Sequence, residues 1–254
     1  MSVHFETQDH VAIITLDRPE ARNAINGVMS SGIEAALDRY ESDESLWAAV
    51  LTANGPVFCA GADLKEIAAG NAGATATAKG GFGGIVHRER TKPLVAALQG
   101  PALAGGCEIA LACDMIVASN DVFFGLPEVK RALIAVAGGL FRLPRAIGLA
   151  QAMEVILTGE PLSAERAYQL GLVNRLVSPE RVREEALSLA RKIASNAPLA
   201  VQASRNLAAR AFTADDATLW REGFEAFQKN MQTEDAKEGP RAFIEKRAPR
   251  WLAR

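Results

Sequence analysis

The stretch LVAALQGPALAGGCEIALACDMIVA, residues 94–118, contains the alternation that decides the fold. Leu94–Leu98 and residues 115–118 are apolar and are predicted as buried strands, and residues 105–112 between them have helical character. Outward along the chain, Val11–Leu16 and Ala48–Ala53 are predicted as strands, with helices over about 27–44 and 82–91. Strands that alternate with helices predict an α/β fold with largely parallel strands.

The last third of the chain is predicted to be almost entirely helical. One short strand, residues 172–177, interrupts helices near 145–157, 163–170, 180–196, 198–211, 216–232 and 235–246. We therefore expect a core over residues 1–195 and a helical region over residues 196–254. No linker of the kind that separates independent domains is visible between them.

Composition and charge exclude several classes of protein. The 254 residues are 49% hydrophobic and 23% charged, as in soluble globular proteins. Against 30 acidic side chains stand 28 Lys and Arg, a balance that argues against a dedicated nucleic-acid binder. No apolar run reaches about 18 residues, so we expect no membrane span. Without a visible secretory signal or a C-x-x-C pair, the chain is expected to be cytoplasmic with reduced thiols.

Several familiar catalytic motifs are absent from the sequence. It contains no P-loop, no H-E-x-x-H, no G-x-S-x-G and no dinucleotide fingerprint after a strand. With three histidines in all, a histidine-based metal site is not expected. Any catalysis should therefore use carboxylates and backbone groups.

Residues 58–66, FCAGADLKE, are the first candidate site. A strand ends before them, a helix starts near Leu64, and the small residues at 60–62 let a ligand approach the backbone. A free N–H at such a helix start can bind negative charge. The alternative is a plain strand–turn–helix in which Asp63 caps the helix.

Residues 101–113, PALAGGCEIALAC, are the second candidate site. Gly105 and Gly106 stand where a helix should begin, so their N–H groups are expected to be unpaired. Glu108 follows inside an apolar helix, where a carboxyl group has a raised pKa and can act as an acid or base. The alternative places Glu108 on a narrow polar stripe or beside a lysine.

Residues 123–131, FFGLPEVKR, supply a second carboxyl group. Pro127 suits the first position of a helix, and Glu128 could act there only to stabilise the helix terminus. Taken together, two turns with exposed N–H groups predict an oxyanion hole, and two glutamates predict a base and an acid. That set suits adding or removing water beside a carbonyl group.

Residues 69–84, AGNAGATATAKGGFGG, are rich in alanine and glycine. They are either a loose surface loop or a mobile flap over a pocket, because long irregular loops in compact domains are often functional.

At these motifs the sequence resembles the enoyl-CoA hydratase/isomerase (crotonase) family, essentially along the whole chain. The matching segments are DRPEARNAI, FCAGADLKEI, LAGGCEIALACD, FGLPEV, LTGEPLSAERAYQLGLVNRLV and FIEKRAPRW. The resemblance implies a spiral of ββα units followed by a helical trimerisation region, assembled as trimers or as dimers of trimers.

The resemblance also implies a substrate and a set of roles. The substrate is an acyl-CoA thioester whose oxygen is held by the N–H groups of Ala62 and Gly105. Glu108 and Glu128, at the family's spacing of twenty residues, correspond to the catalytic pair of its hydratases. The implied reaction adds water to a trans-2-enoyl-CoA with no metal and no cofactor other than the CoA of the substrate.

Contacts to CoA follow from the same resemblance. The matching positions are Arg22 for the phosphates, Ala60, Asp63, Leu64 and Lys65 along pantetheine and nucleotide, and Phe243 and Lys246 toward a neighbouring subunit's CoA. For Lys65 and Lys246 the alternative is a solvated charge.

One segment departs from the family pattern. Hydratases of the family usually have I-P-G-A-G-G after the second glutamate, whereas residues 134–139 are IAVAGG. Val136 adds bulk beside the acyl pocket, which leaves open the acyl chain that is accepted.

Two alternatives remain from the sequence. The chain could be an isomerase or a specialised hydroxyacyl-CoA dehydratase of the same family. An oligomeric RNA-binding protein is supported only by the basic segment 241–254, and the expectation is that the protein binds neither nucleic acid nor membrane.

Overall fold

A six-stranded sheet forms the centre of the protein. The computed structural model describes residues 2–254 and contains eleven strands among them. In chain order these are β1 (Val3–Gln8), β2 (Val11–Leu16), β3 (Ala48–Ala53), β4 (Ala76–Thr77), β5 (Gly81–Phe82), β6 (Leu94–Leu98), β7 (Ala102–Leu103), β8 (Met115–Ser119), β9 (Phe123–Gly125), β10 (Leu162–Ser163) and β11 (Arg175–Val177). The central order is β1-β2-β3-β6-β8-β11; β1 and β2 pair antiparallel and the other neighbours pair parallel.

Helices flank this sheet and fill the C-terminal third. They are α1 (Gly27–Ser42), α2 (Leu64–Ala68), α3 (Gly105–Leu111), α4 (Gly139–Ile147), α5 (Leu149–Thr158), α6 (Ala164–Gln169), α7 (Val182–Ala194), α8 (Pro198–Ala208), α9 (Asp216–Asn230) and α10 (Glu234–Ile244). Short 3₁₀ turns cover Pro19–Ala21, Ala72–Thr75, Pro127–Arg131 and Pro179–Arg181.

The central strands are covered on both faces. Every residue of β2, β3 and β6 is buried, which explains why these strands are continuous apolar runs rather than alternating ones. One face packs in the core that contains Met29 and Ile33 of α1, and the other packs against Ala186 and Ala190 of α7. The predicted α/β fold with mostly parallel strands is confirmed.

A second, three-stranded sheet positions the candidate site. Its order is β10-β9-β7, and β7 pairs parallel with β9. A bridge joins Cys59 to Ala102, and the Ala104 N–H donates to the Gly125 carbonyl at 2.9 Å. Through these contacts the three candidate segments, 58–66, 101–113 and 123–131, become neighbours.

One predicted helix is absent, and several elements differ from their predicted extent. The helix expected over 82–91 is absent, because Phe82 ends β5 and Gly83 and Gly84 have φ values of 60° and 68°, outside the right-handed helical region. The single helix expected over 145–157 is two helices, since Gly148 with φ 84° separates α4 from α5. The strand expected over 172–177 is confined to β11.

The C-terminal helices lie close to their predicted ranges, from α7 to α10. No helix in the described part of the chain is long and apolar enough to cross a membrane.

Candidate active site

The three candidate segments enclose one cavity of about 750 Å³. Both glutamates line it. So do most of the other residues predicted for the site, namely Arg22, Ala60, Ala62, Leu64, Gly105 and Val136. The structure therefore brings together the predicted carboxyl groups and the predicted oxyanion turns.

Glu108 projects from the first turn of α3 and is 3% exposed. Its Oε1 accepts the N–H of Gly139, the first residue of α4, at 2.9 Å. Burial raises the pKa of Glu108 to about 7, and the charge of Glu128 adds to this shift, whereas the Gly139 N–H opposes it. Neither a polar stripe nor a lysine partner explains Glu108; it is a buried carboxyl group that titrates near neutrality.

Glu128 lies in the 3₁₀ turn that follows β9 and Leu126. Its Oε2 is buried and has no hydrogen-bond partner among the described residues. Burial raises the pKa of Glu128 above its usual value. A helix-terminal role would not require the side chain to line the cavity, so an unpartnered buried oxygen there favours a functional role.

The N–H groups of Ala62 and Gly105 have no acceptor in the described part of the chain. Ala62 lies opposite Ile25 in a parallel bridge. The Ile25 N–H donates to the Gly61 carbonyl and the Asp63 N–H donates to the Ile25 carbonyl, which leaves the Ala62 N–H unpaired. Gly105 begins α3, so its N–H has no partner within the helix. Both residues line the cavity, as an oxyanion hole requires.

Close packing explains the glycines around these groups. A Cβ on Gly61 would lie 2.8 Å from the Ala104 Cβ and 3.1 Å from the Gly105 nitrogen. A Cβ on Gly106 would lie 2.1 Å from the Cys59 carbonyl oxygen. The two turns can touch only because these positions lack a side chain.

Ala104 carries backbone strain next to the oxyanion hole. Its φ of 50° and ψ of −128° belong to a region that residues other than glycine seldom occupy. This conformation starts α3 directly at Gly105, and Ala104 itself lines the cavity.

Asp63 does not line the cavity but holds the first oxyanion turn in place. Its carboxylate accepts from Arg18 Nη1 at 2.7 Å and from the Lys65 N–H at 3.0 Å, so it caps α2. The hydrogen bond from Arg18 holds the pKa of Asp63 below its usual value. The capping interpretation of Asp63 is thus correct, and its predicted contact with CoA stays a prediction.

The remaining predicted CoA contacts lie away from the cavity wall. Lys65 is exposed on α2, and Phe243 and Lys246 are exposed at the end of α10, with Phe243 85% accessible. The structure does not bring these three side chains to the glutamate pair.

The segment that departs from the family pattern forms part of the wall. Val136 is 75% exposed and Ile134 is 67% exposed, and both line the cavity, whereas Ala135 is buried. Val136 therefore lies on the cavity wall, and its predicted effect on the acyl pocket stays a prediction.

The Ala/Gly-rich segment 69–84 is folded over the cavity. It contains the 3₁₀ turn and the β4–β5 hairpin, and Gly81 and Phe82 line the cavity. The interpretation as a loose surface loop is therefore wrong for the hairpin.

Several lining residues were not predicted as site residues, among them Phe82, His87 and Arg131. Phe82 lies against Gly105, where an added Cβ would approach its ring to 2.3 Å. Arg131 follows Glu128 by three residues, a spacing that could have signalled a shared site. Among the described residues, no group of His, Cys, Asp and Glu is arranged to hold a metal.

A buried and a half-buried carboxyl group that line one cavity with two unpaired N–H groups define an acid–base site for chemistry beside a carbonyl group. The chain belongs to the enoyl-CoA hydratase/isomerase family, whose model matches residues 6–254. A probable enoyl-CoA hydratase of Rhizobium meliloti is 42% identical over 244 residues, covering 95% of this chain and 94% of the relative.

Solved structures support the same assignment. The crystal structure of an enoyl-CoA hydratase from Mycobacterium tuberculosis H37Rv has a TM-score of 0.95 at 46% identity, covering 100% of this chain and 99% of the other. Among the sequence relatives, a carnitinyl-CoA dehydratase of Proteus mirabilis is 39% identical in an alignment of 263 residues that covers 100% of this chain and 99% of the relative. The fold implied by the resemblance, a crotonase fold with C-terminal helices, is confirmed.

Proposed function

We propose that the protein is an enoyl-CoA hydratase that adds water across the 2,3 double bond of a trans-2-enoyl-CoA. The observation that carries this proposal is the single cavity shared by Glu108, Glu128 and the N–H groups of Ala62 and Gly105. Isomerisation needs one carboxyl group to move a proton, so the presence of two favours hydration.

The oxyanion hole acts on the thioester oxygen. As water attacks C3, electron density moves from the double bond through C2 to the thioester oxygen, which becomes an enolate oxygen. The N–H groups of Ala62 and Gly105 stabilise that charge at no reorganisation cost, because the tight turns already hold them in place. Loss of one such donor typically raises the barrier by about 2.7–4 kcal/mol.

The two glutamates handle the water and its protons. Burial raises the pKa of both groups, and the pKa of Glu108 reaches about 7, so this carboxyl group can hold or release a proton near neutral pH. The ionised member takes a proton from water as its oxygen bonds to C3, and the protonated member delivers a proton to C2. The products balance as one hydroxyl group on C3 and one hydrogen on C2.

The CoA portion is proposed to lie along Arg22, Ala60 and Leu64, which line the same cavity. Asp63 and Lys65 are the residues on either side of Leu64 in the chain and are proposed to continue this contact. Phe243 and Lys246 are proposed to reach the CoA of a neighbouring subunit, which agrees with the exposure of Phe243 near the end of α10 and of Lys246 just after it.

We infer a homo-oligomer, a trimer or a dimer of trimers, formed through residues 196–254. Support comes from the large apolar side chains exposed in this region, which include Phe212, Trp220, Phe224 and Phe227. Three free cysteines support a cytoplasmic location. The reaction moves only water and protons, so no cofactor is proposed beyond the CoA of the substrate.

The test is a panel of trans-2-enoyl-CoAs of increasing chain length, followed by the ultraviolet absorbance of the conjugated thioester. Hydration removes the conjugated double bond, so we expect the absorbance to fall with at least one chain length. The chain lengths that react show which acyl groups fit beside Val136. Proton NMR of a 3-enoyl-CoA reaction provides the contrast: a shifted double bond without hydration of any 2-enoyl-CoA would contradict the proposal and favour an isomerase.

A specialised dehydratase is a second candidate, favoured by the altered wall at Val136 and by Arg131, a cation that lines the cavity. It would run the same steps in reverse on a substituted hydroxyacyl-CoA. Formation of conjugated thioester from such a substrate, with no hydration of unsubstituted enoyl-CoAs, would identify it.

A further inference from the structure

A second cavity, of about 530 Å³, lies beyond Val86, which lines both this cavity and the active-site cavity. Its wall contains a set of arginines, which we call the arginine cavity: Arg88, Arg90, Arg142, Arg145 and Arg205. Among its lining residues, Asp114 is the one carboxylate. None of these residues has a role in the proposed hydration.

Asp114 has no capacity left for further cations. Its Oδ2 accepts from Arg90 Nη1 at 3.0 Å and from the Leu94 N–H at 2.8 Å. Its Oδ1 accepts from Arg205 Nε at 3.0 Å. This carboxylate therefore pairs with both Arg90 and Arg205, and no ion pair joins it to Arg88, Arg142 or Arg145.

Arg88 is only partly satisfied. Its side chain is 3% exposed, and its Nη2 donates to Asp38 Oδ1 at 2.6 Å. The same oxygen also accepts from Lys79 Nζ, so Asp38 is shared between two cations. Its Nε and Nη1 are buried without an acceptor among the described residues. Buried guanidinium donors without acceptors are costly, so their retention on a cavity wall indicates an absent acceptor.

Arg142 and Arg145 lack carboxylate partners in the described part of the chain. Arg142 donates to two neutral groups, the carbonyl oxygens of Ala137 at 3.2 Å and Val86 at 2.6 Å. Arg145 lies 5.2 Å from the centre of the Phe141 ring. Burial lowers the pKa of Arg142; the charge of Glu108 opposes this shift, whereas the charges of Arg90 and Arg145 add to it, as expected for cations that repel each other.

We propose that the arginine cavity binds an oxyanion, the phosphate group of a free small molecule. Guanidinium groups present paired N–H donors that match the oxygens of such an anion. The anion would compensate the excess positive charge and supply acceptors where the chain has none. Neither Glu108 nor Glu128 lines this cavity, so the proposal does not depend on hydratase activity.

The test measures thermal unfolding of the full-length protein with increasing inorganic phosphate, with chloride adjusted to keep ionic strength constant. Arg145→Gln removes one cation of the cavity at an exposed position, where the fold should tolerate it. Arg191→Gln removes an exposed cation from α7, away from the cavity, as the matched control.

We expect a saturable rise in Tm for the wild type and for Arg191→Gln. Loss of one charge-assisted contact should weaken the apparent phosphate affinity of Arg145→Gln about tenfold. An identical response of all three proteins would show non-specific ion binding and overturn the proposal. No response in the wild type would also overturn it, and if Arg145→Gln then lowered the sedimenting mass, a carboxylate of a second copy would be the occupant instead.

Discussion

At the scale of single residues, the two glutamates differ in what holds them. Glu108 is fixed by the Gly139 N–H at the start of α4, where the helix dipole favours a negative charge. Glu128 keeps one buried oxygen without a partner. A water molecule between them would contact one carboxyl group that is held in a fixed orientation and a second carboxyl group that has an unused acceptor oxygen.

Removing either acid–base function should stop the reaction. We expect Glu108→Gln and Glu128→Gln each to lower kcat by about 10²–10⁴-fold, the usual contribution of a positioned acid or base. Binding of CoA, measured by calorimetry, should persist. Glu184→Gln, an exposed carboxyl group on α7, is the matched control and should retain full activity. Near-normal turnover of either site variant would disprove the mechanism.

The raised pKa of Glu108 also has a consequence for stability. Because its folded-state pKa is about 7, compared with 4.5 for an unperturbed group, the unfolded chain ionises first as pH rises. Glu108 therefore lowers the free energy of unfolding progressively between about pH 4.5 and 7, by an amount on the order of 3 kcal/mol.

Glu108→Gln should accordingly be more stable than the wild type at pH 8, with the difference disappearing near pH 4. Urea unfolding at both pH values measures this. Equal stability at pH 8 would mean that the carboxyl group is not held in an environment that disfavours its charge.

Where a local pattern was available, the sequence indicated residues that the structure places on one cavity. Gly105 and Glu108 stand together in one short segment, so spacing and chemistry made them candidates, and their roles remain predictions that the family resemblance implies. Phe82 and His87 were missed because they reach the cavity through long-range packing, which leaves no local signal.

At the scale of elements, α3 depends on the two glycines at its start. A Cβ at position 106 would meet the backbone oxygen of Cys59 at 2.1 Å, whereas a Cβ at position 105 would meet the side chain of Phe82. A side chain can move aside more readily than backbone in a paired strand segment.

Gly106→Ala should therefore destabilise the protein by more than Gly105→Ala, at or above the upper end of the roughly 1–3 kcal/mol typical of overpacking. Denaturant unfolding of the two variants gives the comparison, and adding Phe82→Ala should restore the stability of Gly105→Ala only. The reverse order of stabilities would show that the oxyanion turns are less tightly packed than described.

The buried strands were easier to predict than helices in segments that contain glycine. The buried strands β2, β3 and β6 are apolar runs of branched and small residues, and their predicted limits agree with the structure. The helix expected over 82–91 does not form, because Gly83 and Gly84 have positive φ values that are incompatible with an α-helix. β1 was missed, since half of its residues are exposed and polar.

At the scale of the whole molecule, α9 presents an aromatic face that the single chain leaves exposed. Trp220 is 79% exposed and Phe224 is 62% exposed. Such a surface is typical of an interface between subunits.

We expect Trp220→Ser combined with Phe224→Ser to reduce the sedimenting mass to that of the monomer at micromolar concentration. Val28→Ser, at a 64% exposed apolar position on α1, should leave the assembly unchanged. An unchanged mass for the α9 variant would exclude this face from the interface.

In the proposed mechanism, water adds to C3 of a bound enoyl-CoA under the control of the two glutamates. The most direct measurement is the mass spectrum of the product formed from a trans-2-enoyl-CoA in ¹⁸O-labelled water, with wild type and Glu128→Gln in parallel. With the wild type we expect a 3-hydroxyacyl-CoA that carries one ¹⁸O at C3, and with the variant at least about a hundredfold less of this product in the same time. An unlabelled product with a displaced double bond, or an equal amount of labelled product with the variant, would contradict the proposed mechanism.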